Sequence, residues 1–321
     1  MNNALATGTE HPAWIWRNGE LHPWASATVH VTAVGHASVA GVFEGIKAYR
    51  SDDGERLLLF RLDDHLRRLR ESARICRVDL PYDLEQLRHA VIELLRANGW
   101  RGDTYIRPWT FAEGLVRELM VAAGAPSEVI IDSWPFTTLL GTERGCRAAV
   151  STWIRVGEAS APPRAKAFAN YHHGRLALIE ARTNGHDWPV LLNDRHQVSE
   201  GSGACIALVR DGALITPSLS SSVLDSITRD TALRLCADLG VPVEQRMVDR
   251  SELYLADELF FLGTAWEILP ITTIDGLPVG SGQMGPLAVA LDREYSDIVR
   301  GRSTAHPEWL HELQLTMSTA P

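Results

Sequence analysis

A stretch without helical or strand periodicity, residues 137–145, divides this chain of 321 residues into two patterned halves. On both sides of it, short apolar runs alternate with turn signals, and longer stretches show the spacing of amphipathic helices. One hydrophobic core rarely serves a chain of this length, so two domains are expected. We predict an α+β protein with a first domain over residues 1–136, a linker over 137–147 and a second domain over 148–321.

The individual elements follow from the same signals. Trp14–Arg17 followed by Asn18-Gly19 predicts a strand that enters a tight hairpin turn, because this dipeptide accepts positive φ. Residues 42–49 predict one strand, and the apolar stripe from Leu66 to Cys76 predicts a helix capped by Asp63 or Asp64. Further helices are expected over 83–98, 170–184, 228–239 and 286–300, and further strands over 57–60, 105–107, 129–131, 148–153, 190–192, 197–198, 206–209, 213–215 and 258–262.

Composition excludes several classes of function. The formal net charge is -9, which argues against nucleic acid or an anionic membrane as the main partner. No apolar run approaches the roughly 20 residues of a membrane helix, and the N-terminal pattern is not that of a signal peptide. The 4 cysteines are scattered without a Cys-x-x-Cys pair, which predicts no metal site and a cytoplasmic protein with reduced thiols.

The most informative segment is Ala165-Lys166-Ala167, followed by Asn170-Tyr171. Apolar surroundings disfavour the ammonium form of a lysine and favour the neutral amine, which is the nucleophile of Schiff-base chemistry. Taken alone, such a lysine is more often exposed, with only its stem packed on apolar surface.

Two further segments are suited to binding a ring and an anion. Glu200 ends a predicted strand before the bend 201–203, whose glycines let a flat ligand approach the backbone. Its carboxylate is suited to keeping a ring nitrogen protonated, or it is an ordinary charge at a hairpin. Hydroxyl residues at 220–222 precede a helix that begins near Thr228, and a helix N-terminus suits a phosphate. An ordinary N-cap would explain one of these hydroxyls as well.

Together these segments resemble the class IV aminotransferases, which are pyridoxal 5'-phosphate enzymes, and most of all the branched-chain amino-acid aminotransferases. The resemblance extends from Trp14 to Pro270 and rests on the order and spacing of its landmarks. It implies a smaller α+β domain followed by a larger, β-barrel-like domain that holds the cofactor. The landmarks are Val42-Phe43-Glu44-Gly45-Ile46-Lys47-Ala48-Tyr49, His65-Leu66-Arg67-Arg68-Leu69, Tyr105-Ile106-Arg107-Pro108, Ala165-Lys166-Ala167, Glu200-Gly201-Ser202-Gly203, Ile227-Thr228-Arg229-Asp230 and Gly263-Thr264-Ala265.

The resemblance also implies roles for individual residues. Lys166 looks like the catalytic lysine that carries the cofactor. Glu200 looks like the partner of the pyridine nitrogen, and Tyr171 like the partner of the ring oxygen. The phosphate positions match Arg68, Ile227, Thr228 and Thr264, and the substrate pocket matches Phe43, Tyr105, Arg107, Gly263 and Ala265.

Several positions depart from the family pattern. The cofactor positions match, whereas the departures concern the substrate pocket and its surroundings. They are Ser38 and Leu139 where larger aromatic residues are expected, Ala204 and Cys205 in place of a Glu-Asn pair, Ser226 in place of a glycine, and Trp266 in place of a smaller residue.

The resemblance therefore implies a homodimeric transaminase with small-molecule substrates, acting in branched-chain amino acid biosynthesis. It would move an amino group from an L-amino acid of branched-chain type to 2-oxoglutarate in a ping-pong cycle. A D-amino-acid or (R)-amine transaminase and an aminodeoxychorismate-lyase-like enzyme share the fold and remain alternatives. A non-catalytic binding protein is disfavoured, because the lysine, the ring-nitrogen carboxylate and the phosphate residues are all present.

Overall fold

A computed structural model of the chain describes residues 11–31, 39, 41–112, 126–142 and 144–315. Its helices are α1 (Leu62–Ile75), α2 (Leu84–Asn98), α3 (His172–Thr183), α4 (Ile227–Asp238) and α5 (Pro286–Val299). Its strands are β1 (Trp14–Arg17), β2 (Glu20–Pro23), β3 (Val42–Phe43), β4 (Ile46–Arg50), β5 (Arg56–Phe60), β6 (Thr104–Ala112), β7 (Ser127–Pro135), β8 (Cys146–Ile154), β9 (Trp188–Leu192), β10 (Val198–Gly201), β11 (Cys205–Arg210), β12 (Ala213–Pro217), β13 (Val243–Arg246), β14 (Glu258–Gly263), β15 (Glu267–Ile274), β16 (Leu277–Pro278) and β17 (Leu310–Gln314).

The chain forms two compact units. The first contains the described residues of Met1–Thr138, Ala165–Ala169 and Asp297–Pro321, and the second contains those of Leu139–Arg164 and Asn170–Ser296. The predicted domain limits stay a prediction, and the units differ from them at Ala165–Ala169 and at the C-terminus, which both belong to the first unit. There β17 pairs with β5 along its whole length, which joins the end of the described chain to the first unit.

The first unit is built on one sheet in the order β17-β5-β4-β6-β7-β1-β2, with β3 also pairing to β6. Its core contains Ile46, Ile106 and Ile131 from the strands, packed with Leu87 and Leu94 of α2. Side chains alternate along a strand, so the neighbours of these core residues point to the opposite face of the sheet. That opposite face carries three residues of the predicted substrate pocket, Phe43, Tyr105 and Arg107.

The predicted single strand over residues 42–49 is wrong, because it is interrupted at Glu44-Gly45 between β3 and β4. A Cβ at Gly45 would overlap the Tyr105 hydroxyl, so this position requires a glycine. The Glu44 side chain is fully buried in the unit, where it forms an ion pair with Arg68 of α1. A buried ion pair therefore interrupts what the apolar pattern predicts as continuous.

The N-terminus of α2 has side-chain caps, whereas the residues predicted to cap α1 do not cap it. At α2, Asp83 and Gln86 form the reciprocal bonds of a capping box. At α1, the cap residue is Arg61, at φ 50°, and it makes no side-chain cap bond. The predicted caps instead form ion pairs within the described residues: Asp64 binds Arg61 Nε at 2.6 Å, and Asp63 binds an arginine of α2.

The second unit is built on a mixed sheet in the order β10-β9-β8-β15-β14-β11-β12-β13, with β16 beside β15. The strands predicted over 206–209 and 213–215 are present as β11 and β12, which pair as a hairpin with positive φ at Asp211 and Gly212. The predicted helix over 170–184 begins later, at His172, after a 3-10 turn over Phe168–Tyr171. None of the helices in the described ranges is long and apolar enough to cross a membrane.

Candidate active site

Lys166 lies in the first unit, on a segment that pairs with β3. Ala167 and Val42 form an antiparallel bridge, and the Phe43 N–H donates to the Lys166 carbonyl at 2.9 Å. The Lys166 N–H donates to Ser72 Oγ of α1 at 3.0 Å. Bonds on both sides of the peptide chain therefore fix the backbone of the predicted catalytic lysine.

The Lys166 side chain lies beside a group of aromatic rings. Its Nζ is 4.9 Å from the centroid of the Phe43 ring, which stacks on Phe168 with centroids 4.4 Å apart. Trp109 meets Phe168 edge to face at 5.8 Å. Both alanine neighbours of the lysine are buried, whereas Lys166 itself is half-buried. The lysine thus leaves a buried backbone segment and runs along an apolar surface.

Arg68, a predicted phosphate residue, is held by a buried carboxylate in the same unit. Its Nε donates to Glu44 Oε1 at 2.7 Å, and its Nη2 donates to Oε2 at 2.8 Å. His65 Nδ1 lies 2.7 Å from the same Oε2. Burial alone would raise the pKa of Glu44, but Arg68 and His65 outweigh it and lower that pKa to about 2. Burial lowers the pKa of His65, against the effect of Glu44.

The sequence alone did not identify Glu44 as a functional residue. Its signal is a charged residue inside an apolar strand pattern, combined with His65 and Arg68 three positions apart on one face of a helix. A buried carboxylate needs partners, and such a helix face provides them.

The predicted pocket residues Tyr105 and Arg107 lie on β6, on the face that also carries Phe43, since Phe43 pairs directly with Trp109. Tyr105 stacks on Trp134 with centroids 4.9 Å apart. The guanidinium of Arg107 binds Asp132 on β7, with Nη2 2.7 Å from Oδ2, and lies 5.1 Å from the Trp134 centroid. Burial raises the pKa of Asp132, and Arg107 acts against that rise.

In the second unit, Glu200 is buried, forms an ion pair and accepts hydrogen bonds. Its Oε1 lies 2.7 Å from Arg155 Nε, and both side chains are 7% exposed. Its Oε2 accepts the Leu224 N–H at 3.1 Å and lies 3.7 Å from Cys205 Sγ. The sequence alone did not identify Arg155, which stands one residue beyond β8 and belongs to no motif.

Arg155 also connects Glu200 to the residue before Tyr171. Its Nη1 donates to the carbonyl of Asn170 at 2.6 Å, while its Nε faces Glu200. One buried guanidinium therefore contacts Glu200 and the residue next to Tyr171. Glu200 and Tyr171 are the two residues predicted to contact the cofactor ring.

The bend after Glu200 differs from the expectation of an open backbone. The Gly201 N–H donates to the Ala204 carbonyl at 2.7 Å and closes the bend. A Cβ on Gly201 would lie 2.7 Å from the Phe261 ring, and one on Gly203 would lie 2.8 Å from Trp266. Side chains of the protein thus occupy the space that these two glycines leave.

The remaining phosphate candidates stand at element ends. Ile227 and Thr228 form the first turn of α4, where N–H groups have no acceptor within a helix. Ser226, at the family's glycine position, accepts the Arg229 N–H at 3.2 Å and caps this helix. Thr264 directly follows β14, the strand that ends at Gly263. Of the other departures, Leu139 is buried, and Ser38 lies outside the described residues.

A family model described as Amino-transferase class IV matches residues 41–274 of the chain. The chain belongs to this family. It is 35% identical to the branched-chain-amino-acid aminotransferase of Escherichia coli (strain K12) over 308 residues, which is 95% of this chain and 99% of that protein.

Solved structures give the same result. The branched-chain amino acid aminotransferase from Thermobaculum terrenum in its PLP form is 41% identical, with a TM-score of 0.92 over 96% of this chain and 100% of that one. The T.th. branched-chain amino acid aminotransferase complexed with N-(5'-phosphopyridoxyl)-L-glutamate is 35% identical, with a TM-score of 0.86 over 94% and 98%. The predicted resemblance, the α+β class IV fold and the transaminase activity are confirmed.

The residues of this class IV aminotransferase fit pyridoxal phosphate in each unit taken by itself. The first unit provides a half-buried lysine beside aromatic rings and an oriented arginine. The second provides a buried carboxylate and the start of a 12-residue helix. No cluster of His, Cys, Asp and Glu that could hold a metal ion occurs in the described part of the chain.

Glu44→Gln should destabilise the protein by about 3–5 kcal/mol at neutral pH, because Arg68 loses its buried counter-charge. The pKa of Glu44 in the folded protein, about 2, lies below the ordinary value of 4.5. The stability it contributes is therefore complete above pH 4.5 and is lost as the pH falls towards 2. Urea unfolding at several pH values should show the difference from wild type shrinking below pH 4.5. The exposed Glu20→Gln is the control, and a difference that stays constant with pH would contradict the assignment.

Proposed function

We propose that this class IV aminotransferase uses pyridoxal 5'-phosphate to transfer amino groups from L-amino acids of branched-chain type to 2-oxoglutarate in a ping-pong cycle. The observation that carries the proposal is Lys166, whose backbone is fixed by bonds to Phe43 and Ser72 and whose amine lies beside aromatic rings. The names of the relatives support the amino donor, and the bound form of the Thermobaculum terrenum enzyme supports the cofactor.

Lys166 would hold the cofactor through its amine and, once displaced by the substrate amine, move a proton at the substrate α-carbon. Pyridoxal phosphate supplies an electron-accepting ring to this chemistry. Glu200 would keep the ring nitrogen protonated, because Arg155 and the Leu224 N–H hold its carboxylate in place. Tyr171 would bind the ring oxygen. Arg68, Ile227, Thr228 and Thr264 would bind the phosphate, with the Arg68 fork oriented by Glu44.

The substrate would contact Phe43 and Tyr105, with Gly263 and Ala265 donating backbone N–H groups to a carboxylate. Arg107 would bind the second carboxylate of 2-oxoglutarate, although it already shares its charge with Asp132. The glutamate conjugate bound by the T.th. enzyme supports an acidic substrate. We also propose a homodimer, and the cytoplasmic location stays a prediction. No contact in either unit, among the residues that the structure describes, favours the D-amino-acid, (R)-amine or lyase alternatives.

Borohydride should fix pyridoxal phosphate to Lys166, because this amine holds the cofactor. The chain makes the experiment unusually clean, since its only other lysine is Lys47, which is 2% exposed. Peptide mass spectrometry should find the reduced adduct at Lys166 in wild type and in Lys47→Arg. Lys166→Ala should lose both the adduct and turnover, and an adduct at Lys47 would refute the assignment.

Glu200→Gln should slow turnover by roughly tenfold to a hundredfold, because one charge-assisted contact is worth about 1.5–3 kcal/mol. The cofactor should still attach to Lys166, which absorbance and borohydride trapping would verify. Exposed Glu158→Gln in the same unit is the control. Unchanged turnover in Glu200→Gln would make this carboxylate purely structural.

The proposed substrates can be tested by single half-reactions, in which the absorbance of the bound cofactor reports transfer. L-leucine, L-isoleucine and L-valine should react. Arg107→Gln should slow the second half-reaction, with 2-oxoglutarate, roughly tenfold more than the first half-reaction, with L-leucine. Only 2-oxoglutarate carries a second carboxylate for the guanidinium.

Asp132→Asn is the matched variant for this test, because it keeps Arg107 and removes its partner. It should retain the reaction with 2-oxoglutarate. Reaction with D-amino acids or (R)-amines but not with L-amino acids would overturn the proposed function, and equal slowing of both half-reactions in Arg107→Gln would overturn the role of Arg107.

A further inference from the structure

Trp266 packs directly on the glycine-rich bend of the second unit. A Cβ built on Gly203 would lie 2.8 Å from Cη2 and 3.2 Å from Cζ3 of the indole. The same Cβ would lie 3.7 Å from Cε1 of Tyr171. The indole and the Tyr171 ring therefore both border the space that a Gly203 side chain would fill.

The indole is half-buried among its neighbours. Its ring meets Trp188 edge to face, with centroids 5.1 Å apart and planes at 70°. Together with Phe261 and the bend, the two tryptophans line a crevice that has no space for a water molecule. The buried Nε1 of Trp266 has no hydrogen-bond partner among the described residues. Packing therefore holds this ring in place, and turning it away would open a cavity.

Ala204 belongs to the same arrangement. Ala204 and Trp266 line the same crevice, and a Cβ on Gly263 would lie 3.1 Å from the Ala204 Cβ. The resemblance in the sequence implies a glutamate at position 204 and a smaller residue at position 266. Both departures thus line one crevice of the structure. The side chain at position 204 is smaller than the pattern implies, and the side chain at position 266 is larger.

We propose that Trp266 determines the size of the amino donor, because its indole occupies the space beside Tyr171 that a long side chain would need. The inference rests on the proposed function, which places the cofactor at Tyr171 and the substrate at Gly263 and Ala265. Trp266 follows Ala265 directly in the chain, so the indole belongs to the loop at which we propose that the substrate binds. The enzyme then selects short aliphatic side chains over aromatic ones.

The test measures equilibrium binding of three unreactive acids to the holoenzyme by calorimetry. Propanoate, 4-methylpentanoate and 3-phenylpropanoate have the carbon skeletons of alanine, leucine and phenylalanine, and they cannot react because they lack an amino group. Trp266→Ala should raise the affinity for 3-phenylpropanoate relative to propanoate about tenfold, since pockets discriminate by side-chain volume to about this extent. Trp153→Ala, an exposed tryptophan of the same unit, is the matched control and should leave the ratio unchanged.

Trp266→Phe keeps an aromatic ring against Gly203 and should raise the same ratio by a smaller factor, about threefold. If circular dichroism and thermal melting show that Trp266→Ala does not fold, the affinity ratio of Trp266→Phe is the test of the proposal. An unchanged ratio in both folded variants, with wild-type binding of 4-methylpentanoate intact, would overturn the role of Trp266 and leave the proposed function standing. Failure of the wild type to bind any acid, together with failure to react with any L-amino acid, would overturn both.

Discussion

The pairing of a five-residue segment, Ala165–Ala169, with β3 is the contact on which the proposed chemistry depends. This segment packs with the first unit, although the stretches before and after it belong to the second. A bridge at Val42, one bond from Phe43 and one to Ser72 fix its backbone. The alanines on either side of Lys166 leave room for this close pairing, and larger side chains there would push the lysine off the sheet.

Each unit contains a buried carboxylate that binds an arginine, and the physical reason is the same in both. A buried charge without a partner is costly, so Glu44 faces Arg68 and Glu200 faces Arg155. Once paired, each group can adopt few orientations. In both pairs one member is a predicted site residue, and the pairing fixes the orientation of that residue as well as stabilising its unit.

Local patterns predicted the parts of the fold that local interactions determine. The helix predicted over 83–98 and the strands predicted over 206–209 and 213–215 are present in the structure. A capping box at Asp83 begins that helix, a turn at Asp211-Gly212 joins those strands, and both depend on neighbouring residues alone. The break at Glu44-Gly45 depends on partners from α1 and β6, which lie far away in sequence. The motif order predicts Lys166 and Glu200 as site residues. The partner of Glu200, Arg155, has no sequence signal, because it meets Glu200 only through tertiary contacts.

The near absence of lysine has a practical consequence. The chain carries 29 arginines and 2 lysines, one of them in the core, so its basic surface is almost entirely guanidinium. Reagents that acylate amines, such as biotin esters, dyes and coupling resins, find a single partly exposed lysine, at the point where the cofactor would attach. Common procedures for labelling or immobilising proteins would thus act on this enzyme as active-site inhibitors, and bound cofactor would protect it from them.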